Sequence, residues 1–113
     1  MSLKNIYKGY NQAKKPGYDQ LITHTDHGTP AGEYLRRYWH PVTLSSEVTT
    51  TPLEIRILGE DLVIFKTTEN RIGLVHKHCT HRRASLVFGK PESKGIRCCY
   101  HGWLFSPDGE ILE

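Results

Sequence analysis

Two short segments of this chain each combine a thiol with an imidazole. The first is Cys79-Thr80-His81 and the second is Cys98-Cys99-Tyr100-His101, with sixteen residues between them. Two loops of this kind that face each other supply two Cys and two His, the donor set of a [2Fe–2S] cluster in which two His replace two Cys on one iron. Gly102 follows the second segment and permits close backbone approach, so that amide N–H groups can donate to the sulfides. The paired segments therefore predict an iron–sulfur site.

The chemistry of the donors indicates what such a site does. Thiolates from Cys79 and Cys98 would hold one iron, and neutral imidazoles from His81 and His101 would hold the other. Because the imidazoles remove two negative charges, the reduction potential is expected between about −150 and +300 mV, against about −400 mV for all-cysteine plant-type clusters. Such a donor set predicts a Rieske-type centre, and the expected role is electron transfer.

The second segment contains two adjacent cysteines, so its ligand must be chosen. Cys98 gives a Cys-x-x-His step with His101, whereas Cys99 gives a Cys-x-His step. The Rieske arrangement needs the longer step in its second loop, so we expect Cys98 to be the ligand and Cys99 to be a small buried residue with an inert thiol. The alternative is a structural zinc site, although zinc sites favour paired Cys and paired His segments rather than mixed ones.

Length and composition set the class of protein. The chain has 113 residues and a net charge of +3, which predict one domain of ordinary globular composition. No apolar run is long enough to span a bilayer, and no basic–aromatic motif indicates nucleic acid, so we expect neither partner. Three cysteines without a secretory signal indicate a reducing compartment, which predicts a cytoplasmic protein.

Hydrophobic periodicity predicts an all-β domain preceded by one short helix. Residues 1–27 are read as a polar arm and residues 28–113 as the domain. A helix is predicted over 30–38, with Thr29 as its N-cap and Pro30 at its first position. Short strands separated by polar turns indicate antiparallel sheets. The predicted strands are 53–58, 62–66, 72–75, 85–88, 95–98, 103–106 and 110–112, with turns at 59–61, 69–70 and 107–109.

The chain resembles a known family in four stretches: 28–42, 58–63, 79–89 and 95–109. They are similar to the Rieske domain of bacterial ring-hydroxylating oxygenase α-subunits, in the phthalate-dioxygenase and O-demethylase branch. The resemblance implies a Rieske fold of antiparallel sheets with two cluster-binding loops. It also implies that Cys79, His81, Cys98 and His101 bind the cluster. Thr80 and Cys99 depart from the family, which often has proline at both positions.

The resemblance also implies partners. It implies a reductase or ferredoxin as electron donor and an oxygenase catalytic domain with mononuclear Fe(II) held by two His and one carboxylate. The oligomeric state stays open at this point, a homo-oligomer being one alternative. The α-subunits normally continue into a larger catalytic domain, whereas this chain stops at Glu113. We therefore expect a redox domain of an oxygenase that does not oxygenate alone; a free-standing Rieske ferredoxin and a zinc-stabilised binding module are the alternatives.

Basic residues crowd both segments. They are either a solvated polar surface or a docking surface for an acidic electron donor or a neighbouring subunit. These residues are Lys77, Arg82, Arg83, Lys90, Lys94 and Arg97.

Overall fold

The computed structural model describes residues 17–113, and the first part of the predicted arm lies outside this range. Within the remainder of the arm, α1 spans Gln20–Thr23. The side chain of Asp19 accepts a hydrogen bond from the backbone N–H of Leu21 at 3.0 Å and caps this single turn. The arm is therefore not wholly irregular. Within residues 17–113, no helix combines the length and apolar character that crossing a membrane requires.

The predicted helix is present but shorter than expected. Helix α2 spans Pro30–Leu35, and the Thr29 hydroxyl accepts from the Gly32 N–H at 3.1 Å, which confirms the N-cap. After Leu35 the hydrogen bonds tighten to three-residue spacing, with the Tyr38 N–H donating to the Leu35 carbonyl. Such tight turns are common where a helix ends. The prediction that the helix continues to Tyr38 is therefore wrong.

The first sheet contains three antiparallel strands in the order β1-β2-β3. They are β1 at Leu53–Ile57, β2 at Glu60–Lys66 and β3 at Ile72–His76. Leu58 and Gly59 connect the first two strands and have φ values of +50° and +77°. Positive φ at both central residues matches a two-residue hairpin turn, so the connection is shorter than the predicted turn at 59–61.

The second sheet is smaller and has the order β4-β5-β6, again antiparallel. Its strands are β4 at Lys90–Pro91, β5 at Ile96–Arg97 and β6 at Leu104–Phe105. The predicted strand at 110–112 is reduced to a single bridge between Ile111 and Phe105. The overall prediction of an antiparallel β fold with a short N-terminal helix is confirmed, although β5 and β6 are shorter than predicted and β4 was not predicted.

The predicted strand at 85–88 is wrong. Leu86–Phe88 forms a 3₁₀ helix, and the Ser85 hydroxyl accepts from the Val87 N–H at 3.3 Å. All three residues of the run Leu86-Val87-Phe88 are apolar, so their pattern does not distinguish a strand from a helix. The local cap by Ser85 decides the outcome.

The hydrophobic core extends from the first sheet into the second and contains two of the predicted ligand residues. Phe65 and Ile96 are fully buried, and both Cys79 and Cys98 belong to the same cluster. The two cysteines are therefore positioned by packed side chains as well as by their own loops. The cluster consists of Val63, Phe65, Val75, Cys79, Leu86, Ile96, Cys98 and Phe105.

Candidate metal centre

The first loop, residues 77–85, leaves the end of β3 and closes on Cys79. At its base, the Leu86 N–H donates to the Lys77 carbonyl at 2.7 Å. Inside the loop, the Cys79 N–H donates to the Ala84 carbonyl at 2.8 Å, and the Cys79 carbonyl accepts from the Arg83 N–H at 2.7 Å. Both backbone groups of Cys79 are therefore held within the loop, which directs its side chain into the core.

The second loop, residues 98–103, connects β5 to β6 and closes on Cys98 in a comparable way. The Cys98 N–H donates to the Trp103 carbonyl at 2.8 Å, and the Cys98 carbonyl accepts from the Gly102 N–H at 3.1 Å. Gly102 has φ of +80°, a backbone conformation that glycine adopts without steric cost. The loop therefore reverses direction just after His101.

The two loops bring Cys79 and Cys98 together. Both residues are buried, with exposed fractions of 2% and 4%, and the Cys98 thiol lies within hydrogen-bonding reach of Cys79. Burial raises the pKa of the Cys79 thiol, and its neighbour Cys98 raises it further. Backbone N–H groups of His81 and Arg82 act in the opposite direction. Paired buried thiols with amide donors suit a cationic metal, which would favour both thiolates.

The two predicted histidine ligands form a second pair at the surface. The ring centroids of His81 and His101 lie 4.7 Å apart, and the rings meet edge to face at 75°. His81 also stacks on the indole of Trp103, at 4.6 Å and 15°. The Tyr100 ring lies 3.9 Å from His101. Both histidines are exposed, so one face of the pair is open to solvent.

The four side chains are arranged as two pairs rather than as one group. Among residues 17–113, no three His, Cys, Asp or Glu side chains lie close enough to hold a single metal ion. A [2Fe–2S] cluster of the Rieske type needs two Cys on one iron and two His on the other, which matches this division into pairs. A tetrahedral zinc site instead needs four donors around one ion. The donor set therefore fits the predicted cluster.

The prediction that Cys99 is buried is wrong. Cys99 is exposed, and it opens the turn at 99–101 in which all three residues face solvent. The ladder between β5 and β6 ends at the hydrogen bond from Cys98 to Trp103, so the next residue leaves the core. The contrast between the two neighbours supports Cys98 as the inward-facing thiol.

The structure divides the basic residues around the loops into paired and unpaired groups. Lys77 forms a salt bridge with Glu54. Arg97 forms ion pairs with Glu92 and Glu113, each at 2.9 Å. The other four, Arg82, Arg83, Lys90 and Lys94, are exposed and form no ion pair within residues 17–113.

Sequence reasoning missed the structural role of Arg97. Its Nη1 donates to the carbonyl oxygen of Gly102 at 2.7 Å, which anchors the far end of the second loop. The only local signal is the alternation in β5, where Ile96 is buried and its neighbour Arg97 is half-buried. That alternation does not identify the partners. Glu92 reaches Arg97 across the β4–β5 hairpin, and Glu113 reaches it from beyond β6.

Comparison with known proteins identifies the family. Residues 38–113 match the family model of the Rieske [2Fe-2S] domain. The chain therefore belongs to the Rieske [2Fe-2S] domain family, and its domain binds a [2Fe–2S] cluster. The predictions of fold and cofactor are confirmed.

The relatives are oxygenase subunits, which confirms the predicted branch. The chain is 55% identical over 99 residues to phenoxybenzoate dioxygenase subunit alpha of Ectopseudomonas oleovorans, covering 87% of this chain and 24% of the relative. It is 42% identical over 101 residues to the phthalate 4,5-dioxygenase oxygenase subunit of Pseudomonas putida, covering 87% of this chain and 23% of the relative. The chain thus spans about a quarter of the length of these relatives.

Solved structures show the same fold. Dicamba monooxygenase bound to dicamba superimposes with a TM-score of 0.63 and 27% identity, over 68% of this chain and 24% of the other. NdmA of Pseudomonas putida CBB5 gives a TM-score of 0.63 and 32% identity, over 71% of this chain and 26% of the other. The fold of this chain is therefore shared with dicamba monooxygenase and with NdmA.

Proposed function

We propose that this chain is an electron-transfer domain of an oxygenase. Cys79 and Cys98 would hold one iron of the [2Fe–2S] cluster, and His81 and His101 would hold the other. The observation that carries the proposal is the division of the four side chains into a buried pair of thiols and an exposed pair of imidazoles. When bound, the cluster supplies a one-electron carrier.

The surrounding residues have separable tasks in this proposal. The N–H groups of His81 and Arg82 point at the Cys79 sulfur and would stabilise its thiolate form. Trp103 covers one face of the His81 ring and limits both its rotation and its contact with water. The remaining exposed edge of the histidine pair is the shortest route between the site and a docked protein.

The proposed partners follow from the relatives. The chain would receive electrons from a reductase or ferredoxin and pass them to mononuclear Fe(II) in an oxygenase catalytic domain, in an assembly of identical subunits. The cytoplasm is the proposed compartment, because its reducing pool keeps exposed thiols such as Cys99 free. Support comes from 55% identity to a dioxygenase α-subunit over 87% of this chain.

Metal and sulfide analysis tests the ligand assignment. After iron–sulfur loading, the wild-type chain should contain about two irons and two acid-labile sulfides and should be brown. His81→Ala should lose the cluster or change its visible and EPR spectra. His76→Ala is the matched control, because His76 is an exposed histidine at the end of β3. Stoichiometric zinc without sulfide would contradict the proposal, as would equal effects of the two variants.

Electron-transfer measurements test the role of the chain. The loaded chain should accept one electron per cluster from a reductase, and should release no hydroxylated product when supplied with substrates of the relatives. Product formation by the chain alone would contradict the assignment as a redox domain.

A further inference from the structure

Arg83 occupies a backbone position that does not favour arginine. Its φ is +62°, in the left-handed region that glycine and asparagine adopt most readily. The loop imposes this conformation, because the Arg83 N–H donates to the Cys79 carbonyl and the Arg83 carbonyl lies 3.1 Å from Nδ1 of His78. Glycine would satisfy the turn with less strain. The arginine side chain is therefore not explained by the turn.

Contacts within the described chain do not explain the side chain either. Arg83 is exposed, and within residues 17–113 its guanidinium forms no ion pair. Its neighbour Arg82 is also exposed and forms no ion pair within residues 17–113. The nearby Lys77 is different, because Glu54 neutralises it. Two adjacent unpaired guanidinium groups thus project from the loop that also carries His81.

An open pocket lies beside this pair of arginines. It has a volume of about 430 Å³, and Arg83, Lys77, His76 and His78 line it together with Cys79 and Thr80 of the first loop. Its one carboxylate, Asp61, lies 3.6 Å from Nε of Arg56. The pocket therefore offers the unpaired guanidinium of Arg83 and the imidazole of His76 to an incoming group, whereas Nδ1 of His78 is already held by the Arg83 carbonyl. Arginine binds carboxylates through two parallel hydrogen bonds, which makes an acidic side chain the matching occupant.

We propose that Arg82 and Arg83 form the docking surface for an acidic electron-donor protein of the plant-type [2Fe–2S] ferredoxin class, with one donor carboxylate entering the pocket beside Arg83. This inference rests on the proposed electron-transfer function. Arg82 follows His81 directly in sequence, so a donor held there lies against the exposed histidine pair. One electron passes from the reduced donor to the oxidised cluster, and the all-cysteine donor cluster has the lower potential.

Stopped-flow mixing tests the surface. The probe is an acidic plant-type ferredoxin, reduced beforehand and mixed with the oxidised, cluster-loaded chain. At low ionic strength, Arg83→Glu should lower the second-order rate constant about tenfold and Arg83→Gly about threefold, because electrostatic steering accelerates association by such factors. At high salt, the rate constants of both variants should lie within about twofold of the wild-type value, because salt screens exposed charges.

Arg71→Glu is the matched control. Arg71 is an exposed arginine that precedes β3, whereas the first loop follows β3, so about 16 Å of strand separates it from His76. This variant has the same charge change and should stay within about twofold of the wild-type rate. Arg83→Gly guards against misfolding, because glycine suits the observed φ. Reduction with dithionite checks that every variant carries the same amount of redox-active cluster.

Binding gives an independent readout. Calorimetric titration with oxidised ferredoxin should show weaker affinity in the order wild type, Arg83→Gly, Arg83→Glu. Equal losses in Arg83→Glu and Arg71→Glu would overturn the docking surface, as would a loss that persists at high salt. A wild-type chain that dithionite reduces but ferredoxin does not would also overturn it. A chain that holds no [2Fe–2S] cluster would instead contradict the proposed function.

Discussion

The guanidinium of Arg97 donates a hydrogen bond from Nη1 to the carbonyl oxygen of Gly102, with 2.7 Å between the two atoms. The same side chain binds both carboxylate oxygens of Glu92, at 2.9 and 3.0 Å, and Oε2 of Glu113 at 2.9 Å. Hydrogen bonding to Glu92 is the largest cause that raises the pKa of Arg97 above its usual value. Arg97 therefore connects the second loop to two other parts of the fold at once.

We predict that Arg97→Met loosens the second loop. Loss of the bond to Gly102 should lower the thermal unfolding midpoint by several degrees and speed cluster loss, because a half-buried carbonyl and two carboxylates lose their donor. Arg97→Lys should recover part of the effect, since lysine retains the charge but not the planar fork. Arg71→Met is the control, because the ion pair that Arg71 makes with the exposed Asp108 is long, at 3.9 Å, and therefore weak. Equal midpoints for the Arg97 and Arg71 variants would contradict this role.

We predict opposite outcomes for the two adjacent cysteines. Cys98→Ser should abolish or grossly alter the cluster spectrum, because it replaces the buried thiol beside Cys79. Cys99→Ser should retain the visible spectrum and the iron content, because Cys99 is exposed. Iron analysis and visible absorption distinguish the two. If Cys99→Ser loses the cluster while Cys98→Ser keeps it, the ligand was assigned to the wrong neighbour.

Trp103 provides a test of the stack on His81. Trp103→Leu removes the aromatic surface and should lower the free energy of unfolding of the loaded chain by about 2 kcal/mol, combining lost burial with the lost stacking term. Trp103→Phe should lose less than about 1 kcal/mol, because it preserves a ring over the imidazole. Urea unfolding measures both. A reduction potential that shifts in Trp103→Leu but not in Trp103→Phe would show that the loss of the stack also affects the cluster. Equal losses of unfolding free energy in the two variants would exclude the stack as the cause.

The ion pair between Glu92 and Arg97 predicts a pH dependence. Hydrogen bonding from Arg97 is the largest cause that lowers the pKa of Glu92 in the folded state. A lowered folded-state pKa gives stabilisation that is fully present above the unfolded value of about 4.3 and is lost as the pH falls through the folded value. Wild type should therefore lose more stability than Glu92→Gln on acidification. Urea unfolding of both chains from neutral to acid pH measures the difference, and parallel curves would contradict the prediction.

Much of this protein could be predicted from local sequence. The three strands of the first sheet follow from the alternating residues of β1, the short apolar runs of β2 and β3 and the polar turns between them, because a hairpin needs only neighbouring residues to specify it. The donor types at Cys79, His81, Cys98 and His101 indicated the cofactor, which the family match confirms. Their assignment as ligands stays a prediction, supported by the two pairs in the structure.

Tertiary structure decided the remaining features. The exposed position of Cys99 depends on where the ladder between β5 and β6 ends. The 3₁₀ helix at Leu86–Phe88 instead depends on a local feature, the cap from Ser85. One partner of Arg97, Glu113, is sixteen residues after it, so no local pattern contains that contact. Residue types and spacing thus specified the chemistry, because ligand preference is a property of side chains. Which side chains face the core, the solvent or each other was decided by packing between segments distant in sequence.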